Sequence, residues 1–390
     1  MAAPRFVHMP LQLITLSFDS PLTDVVIELD HLRRLRLSGD TPLPVFMQLK
    51  QIFHTLESLG SARIEGNHTT LADYIESKIE TPAKLSDQIK EVNNIEKAMD
   101  YIEESIPAGG YITEQFIREL HQLTVSDLLR EGDKYPGRYR PDNVQIGGAE
   151  HLPPDAGLVP AYMQELADFI NRDDPPKYDL LKMALAHHRF LWIHPFGNGN
   201  GRTVRLLSYA MLIKYGFNVM TGGRVLNPTA VFCNDRSAYY EHLTKADTGT
   251  DEGLAAWCLY VLGGMRDELN KVDRITRYDY LRDRILRPAI AHGRDRKWLT
   301  DPEYAVLNMA IDKGEFRAAD IDGVLPTLTT RQRTYLIAKL NDQKMICPVR
   351  DGARSYTLSF INNYLLRSVI HALEKEGFVQ PFVKAPAANR

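Results

Sequence analysis

The residues best suited to chemistry sit together in one window, His194-Pro195-Phe196-Gly197-Asn198-Gly199-Asn200-Gly201-Arg202-Thr203-Val204-Arg205. The glycines at 197, 199 and 201 let backbone N–H groups face a ligand without side-chain interference. The loop runs straight into an apolar helical pattern, Val204–Tyr215. A helix N-terminus has four N–H groups without internal partners, and its dipole favours anions. Arg202 and Arg205 are three apart and share a helix face. Their guanidinium forks match phosphate oxygens. His194 has the near-neutral intrinsic pKa that suits taking a proton from a hydroxyl. The window therefore reads as an anion cradle beside a general base, and a polyphosphate fills it best. The common phosphate loops do not fit. No Lys-Ser/Thr follows the glycines, the third glycine of the dinucleotide fingerprint is missing, and no strand precedes the loop. A Gly-rich connector with surface arginines is the bland alternative. His187 and His188 lie two helical turns upstream of His194, a spacing that makes no zinc pair.

Helices must hold this window. Apolar residues recur at threes and fours over 22–70, 85–101, 112–129, 159–169, 180–192, 202–215 and 254–269. Residues 132–157 are turn-rich around Val144 and Ile146 and read as a small hairpin. A charged helical connector ends at Pro288 and Gly293. Beyond it come short helices at 303–311, 318–324 and 330–340, then two strands around Asp351-Gly352, which is the winged-helix pattern. A final helix spans 362–376, with a loose tail after it.

The window resembles the signature of the Fic family: His-Pro-Phe, a variable residue, an acidic residue, Gly-Asn-Gly-Arg, two variable residues and Arg. Every specified position matches except Asn198. The resemblance spans roughly residues 40–265. It implies a mainly α fold, a Fic-type helical bundle with a short β-hairpin flap, followed here by a small α/β winged-helix domain. It also implies transfer of AMP from ATP to a protein hydroxyl. His194 would be the general base and Phe196 would hold the loop in the core. Gly197, Asn198, Gly199, Asn200, Gly201 and Arg202 would line the nucleotide phosphates, and Arg205 would meet the γ-phosphate. Position 198 in the family is usually the acidic ligand of Mg²⁺. An amide there brings no charge, so Asn198 is expected to be a weak metal ligand and to reduce affinity for Mg²⁺ or Mn²⁺.

Upstream, Ser61-Ala62-Arg63-Ile64-Glu65-Gly66-Asn67 resembles the family's inhibitory motif. Glu65 would take Arg205 away from the γ-phosphate, with Ser61, Gly66 and Asn67 shaping the inhibitory helix. Val144, Gln145, Ile146 and Gly147 resemble the flap that pairs with an extended target segment. Tyr239 and Tyr240 are candidates for the adenine pocket, near Asn227 and Pro228. The expected organisation is an N-terminal helical region with the inhibitory helix (1–110), a Fic core (111–270), a connector (271–300), a winged helix (301–365) and a helix end with tail (366–390).

Composition narrows the class. The 390 residues carry 47 Lys+Arg and 50 Asp+Glu, a formal charge of -3, with 44% hydrophobic residues, which excludes wholesale disorder and a chain devoted to nucleic acid. Cys233, Cys258 and Cys347 form no CxxC pair, so a disulfide framework is not expected. The first residues lack a long apolar core, and no stretch is long enough to span a bilayer, which predicts a cytoplasmic protein without membrane contact. The expected function is protein adenylyltransferase, acting on itself or a target protein, restrained by Glu65, with ATP as substrate and a homodimer as assembly. The alternatives are removal of AMP or another nucleotide or phosphate transfer at the same site, and a nucleotide-sensing regulator that binds DNA through 301–365.

Overall fold

A computed structural model of the chain describes residues 5–34, 40–80, 84–217, 230–361 and 364–378. The chain separates into two units, the first made of Met1–Arg36, His54–His68 and Leu85–Asn270. Its helices are α1 (Pro21–Arg34), the second half of α2 (Leu43–Ile64), then, beyond α3 (Leu71–Glu80) of the other unit, α4 (Asp87–Ser105), α5 (Glu114–Val125), α6 (Val159–Asn171), α7 (Asp179–Ile193), α8 (Asn200–Lys214), α9 (Ala230–Asn234), α10 (Arg236–Ala246) and most of α11 (Asp251–Thr276).

At the centre lies the pair α7 and α8, with α4, α5 and α6 packed around it. Thirteen of the fifteen residues of α7 and thirteen of the fifteen of α8 are buried. A helix buried on every side must be apolar all round or satisfy its polar groups internally. Both solutions occur. Leu180, Leu181, Met183, Leu206 and Leu207 fill space, whereas buried Lys182 pairs with Asp174 at 3.1 Å and His188 meets Asp247 at 2.9 Å. Side-chain caps start the surrounding helices: Ser86 accepts from the Ile89 N–H of α4 and Thr113 from the Phe116 N–H of α5.

Residues 132–157 hold turns and no strand, so the hairpin expected there is not formed. The segment's hydrogen bonds go elsewhere. The Arg140 backbone N–H donates to the Pro195 carbonyl at 2.9 Å, its Nε donates to the His194 carbonyl at 2.9 Å, and Asn143 bonds Asp155 and the Ala156 N–H. Val144 and Ile146 are half-buried, while Gln145 and Gly147 are exposed. One isolated parallel bridge joins Arg5 to His151.

The second unit comprises Leu37–Phe53, Thr69–Lys84 and Lys271–Arg390. The single turn α12 (Tyr278–Tyr280) passes through a π-helical stretch into α13 (Arg287–Asp295). Then follow α14 (Asp301–Lys313), β1 (Glu315–Arg317), a 3-10 turn at Ala318–Gly323, α15 (Thr330–Asp342), β2 (Ile346–Pro348), β3 (Ser355–Leu358) and α16 (Leu365–Lys375). The three strands form an antiparallel sheet in the order β1-β3-β2, with Phe316 opposite Tyr356 and Ile346 opposite Leu358. The first half of α2 belongs here by packing: Gln48 donates to the Leu358 carbonyl and accepts from the Phe360 N–H. Of the basic residues on this unit, Arg333 pairs with Asp322 and Lys339 with Glu303, whereas Arg331, Arg350 and Arg354 are exposed. Among the described residues no helix is long and apolar enough to cross a membrane.

Candidate active site

The loop between α7 and α8 begins at His194, which caps α7 in the left-handed conformation (φ 50°, ψ 60°). A non-glycine residue there is uncommon and points to a site where geometry has been given priority. The His194 N–H still closes the last turn on the Phe190 carbonyl. Burial, reinforced by the nearby Arg140 cation, lowers the imidazole pKa to about 4. His194 is therefore neutral at physiological pH, and a ring N–H turned to the Leu191 carbonyl leaves the other nitrogen as the acceptor. A neutral imidazole with an uncommitted nitrogen can act as a base.

Phe196 is fully buried and stacks on His121, with ring centroids 3.7 Å apart and planes 3° from parallel. The Asn200 side chain brackets the Phe196 backbone, accepting from its N–H at 3.0 Å and donating to its carbonyl at 2.8 Å. Gly199 adopts φ 74°, and a Cβ there would meet Val125 at 2.8 Å, so both conformation and space require glycine. The outer wall of the loop is a clamp that the sequence reading missed. The buried His121 donates through Nε2 to the Asn198 carbonyl at 3.1 Å, and its Nδ1 accepts from the Gly137 N–H. Asp133 accepts from the Asn198 N–H at 2.9 Å. These partners lie more than sixty residues from the loop, and no local spacing marks them.

The inner wall is anionic. Glu65 sits at the C-cap of α2, where a Schellman turn closes the helix: the Gly66 N–H bonds the Arg63 carbonyl and the Asn67 N–H bonds the Ala62 carbonyl. Gly66 supplies the positive φ of 93° that this turn demands. The Glu65 carboxylate projects onto the first turn of α8. Its Oε1 accepts from Arg205 at 2.7 Å, and a Cβ on Gly201 would run into the same oxygen. Ser61 completes the hold on Arg205, accepting from Nε at its hydroxyl (2.8 Å) and from a terminal nitrogen at its carbonyl (3.0 Å). Burial alone would raise the Glu65 pKa, but Arg205, with Arg202 and Arg236, holds it below the usual carboxylate range. Arg205 Nη1 and Arg202 Nε are buried and lack partners among the described residues. A helix N-terminus, two buried guanidinium groups with unspent donors and a resident carboxylate together describe an anion site.

Asn198 directs its amide into the protein framework: its oxygen accepts from the Gly199 N–H at 2.7 Å and its nitrogen donates to the Gly132 carbonyl at 3.2 Å. Among the described residues no group of three or more His, Cys, Asp or Glu is placed to hold a metal ion. The donor set does not fit a resident Mg²⁺. Tyr239 is 2% exposed, and its hydroxyl bonds His187 Nε2 at 2.9 Å within a cluster that includes Phe232 and Trp257. Tyr240 is 44% exposed, with Arg236 over its ring. Asn227 and Pro228 fall outside the described residues.

Comparison with known proteins agrees with this geometry. Residues 111–212 match the Fic/DOC family model. The chain is 33% identical over 201 residues to the protein adenylyltransferase Fic of Drosophila mojavensis, a match covering 50% of this chain and 36% of that protein. It is 32% identical over 197 residues to the protein of the same name from Nematostella vectensis, covering 48% and 42%. The chain thus spans less than half the length of these curated relatives. Among solved structures, a Fic family protein from Desulfovibrio desulfuricans G20 superposes with a TM-score of 0.56 at 23% identity, covering 89% of this chain and 98% of that one, a likeness of fold. The likeness to the Fic/DOC family is carried by the domain at residues 111–212, which contains the His194–Arg205 loop.

Proposed function

We propose that the protein is an adenylyltransferase that moves AMP from ATP to a Ser, Thr or Tyr hydroxyl of itself or of another protein, and that Glu65 restrains it. The observation that carries this reading is the Glu65 carboxylate on Arg205 at 2.7 Å, over the first turn of α8. An anionic side chain there stands where a phosphate is best received.

In the productive complex Glu65 has withdrawn and Arg205 turns its donors to the terminal phosphate. The N–H groups of Gly199–Gly201 receive the inner phosphates. The target hydroxyl oxygen attacks the α-phosphorus, the bond between the α-phosphorus and its bridging oxygen to the β-phosphate breaks, and pyrophosphate leaves. The hydroxyl proton passes to His194. Positioning and charge stabilisation supply most of the rate in such a transfer. Mg²⁺ enters with ATP as part of the substrate, because the loop offers it no carboxylate. The half-buried Val144 and Ile146 alternate with exposed Gln145 and Gly147, which suits this segment to aligning an extended target chain.

Intact mass after incubation with Mg²⁺-ATP tests the reading. E65G gains one AMP, and E65G/H194A gains none. Label from γ-³²P-ATP without label from α-³²P-ATP means phosphoryl transfer instead. Nucleotide binding with no covalent product favours a nucleotide-sensing regulator.

A further inference from the structure

The two arginines of the motif are held by different carboxylates. Glu65 holds Arg205, whereas Arg202 is tied to Glu91, a residue of α4 that the mechanism above does not use. Arg202 is fully buried. One terminal nitrogen donates to Glu91 Oε1 at 2.6 Å and the other to the Glu131 carbonyl at 3.0 Å. The remaining donor, Nε, is buried and without a partner among the described residues. Glu91 is itself 2% exposed, and its second oxygen, Oε2, accepts from Asn67 Nδ2 at 2.7 Å. The same Asn67 amide also donates to the Gln88 carbonyl at 2.9 Å. One carboxylate therefore touches the motif arginine with one oxygen and the end of the Glu65 segment with the other.

We propose that Glu91 is a positioning residue for Arg202: it fixes one end of the guanidinium, as the Glu131 carbonyl fixes the other, so that the uncommitted Nε serves an anion bound at the α8 N-terminus. Asn67 joins this fixture to the segment that carries Glu65. The inference rests on the reading that this loop binds a polyphosphate. The rival role is a second competitor, a carboxylate that must leave before the anion can enter. The burial of the two residues separates these roles. The Glu65 side chain is 26% exposed and has a route out, whereas that of Glu91 is 3% exposed and bonded on both oxygens. A group that cannot leave without stranding a buried guanidinium is a fixture.

Calorimetric titration of inorganic tripolyphosphate into full-length variants tests this, because the sign of the effect differs between the two roles. E65G binds the probe. E65G/E91Q binds it roughly tenfold more weakly, the worth of one charge-assisted hydrogen bond, and E65G/E91D recovers part of the loss. In an E65G/R202K background E91Q adds no further loss, because its effect runs through Arg202. Unchanged or tighter binding by E65G/E91Q overturns the proposal, as does an equal loss in the R202K background. Should E91Q fail to fold, E65G/N67A keeps the ion pair and loosens only its anchor, and a weakening of about two- to fivefold is expected; unchanged affinity there overturns the proposal. No binding by E65G itself removes the polyphosphate reading and this inference with it. Binding by E65G without any effect of Glu91 removes the inference alone.

Discussion

His194 does two jobs that conflict. It ends a helix in the left-handed conformation, where a glycine would sit more easily, and it keeps a neutral imidazole in a buried place. Burial has a kinetic consequence. A base with a pKa of about 4 is unprotonated throughout the neutral range, so the AMP-transfer rate of E65G should be flat from pH 8 to about pH 5 and fall only as pH drops through about 4. An acid limb near pH 6.5, the value of a free imidazole, would show that burial does not control this group. The window from His194 to Arg205 stands out in the sequence because its residues are consecutive and their types suit an anion cradle beside a base. The roles of Asn198 and Asn200 do not. Each side chain bonds the loop's own backbone or its neighbour, and an amide in the sequence does not reveal which way it faces.

At the scale of elements, the end of α2 decides how firmly Glu65 is presented. The Schellman turn needs a residue at φ 93°, and alanine in the left-handed region costs about 1–2 kcal/mol. Nothing lies within reach of a Cβ on Gly66, so the penalty is one of backbone conformation alone. Gly66→Ala should lower the urea midpoint modestly and raise self-modification above wild type, though not to the level of E65G. Normal stability with unchanged activity would mean that the turn does not govern the carboxylate. Helical periodicity located α4 through α8 well, because each keeps an apolar stripe or an apolar run. The segment 132–157 shows where the method fails. Its alternation of Val144 and Ile146 is that of a strand, but Arg140 and Asn143 direct the hydrogen bonds to the loop and to Asp155. Ladder partners cannot be read from one strand-like stretch.

At the scale of the whole chain, the division into units is the part least visible in sequence. Leu37–Phe53 packs with Lys271–Arg390, because Gln48 bonds the backbone at Leu358 and Phe360, about three hundred residues away. Periodicity sees α2 as one helix and cannot see that its halves serve different cores. The first unit also buries several histidines in their neutral form. Burial lowers the pKa of His121 and His194 to about 4, lowers that of His151, and lowers that of His187 well below the usual value. An unfolded chain binds protons at these positions near pH 6.5. Stability from them is complete above that pH and is lost as pH falls toward 4, because the unfolded state then holds more protons. The urea midpoint of the full chain should drop steadily between pH 6.5 and 4.5, and less steeply in H121Q. A midpoint that stays level over that range would contradict the burial of these rings.

Under the proposed function, the placement of Glu65 at the cap of α2 bears on how the activity would be switched on. The Glu65 carboxylate is part of the same chain as Arg205, so its effective concentration at that site is on the order of millimolar or higher at any protein concentration. Dilution cannot separate such a pair, and on that reading a modest rise in ATP would compete against a local concentration of the same order. On the proposed reading, control would come from events that displace the end of α2, and screens for activators are better aimed at that segment than at the nucleotide.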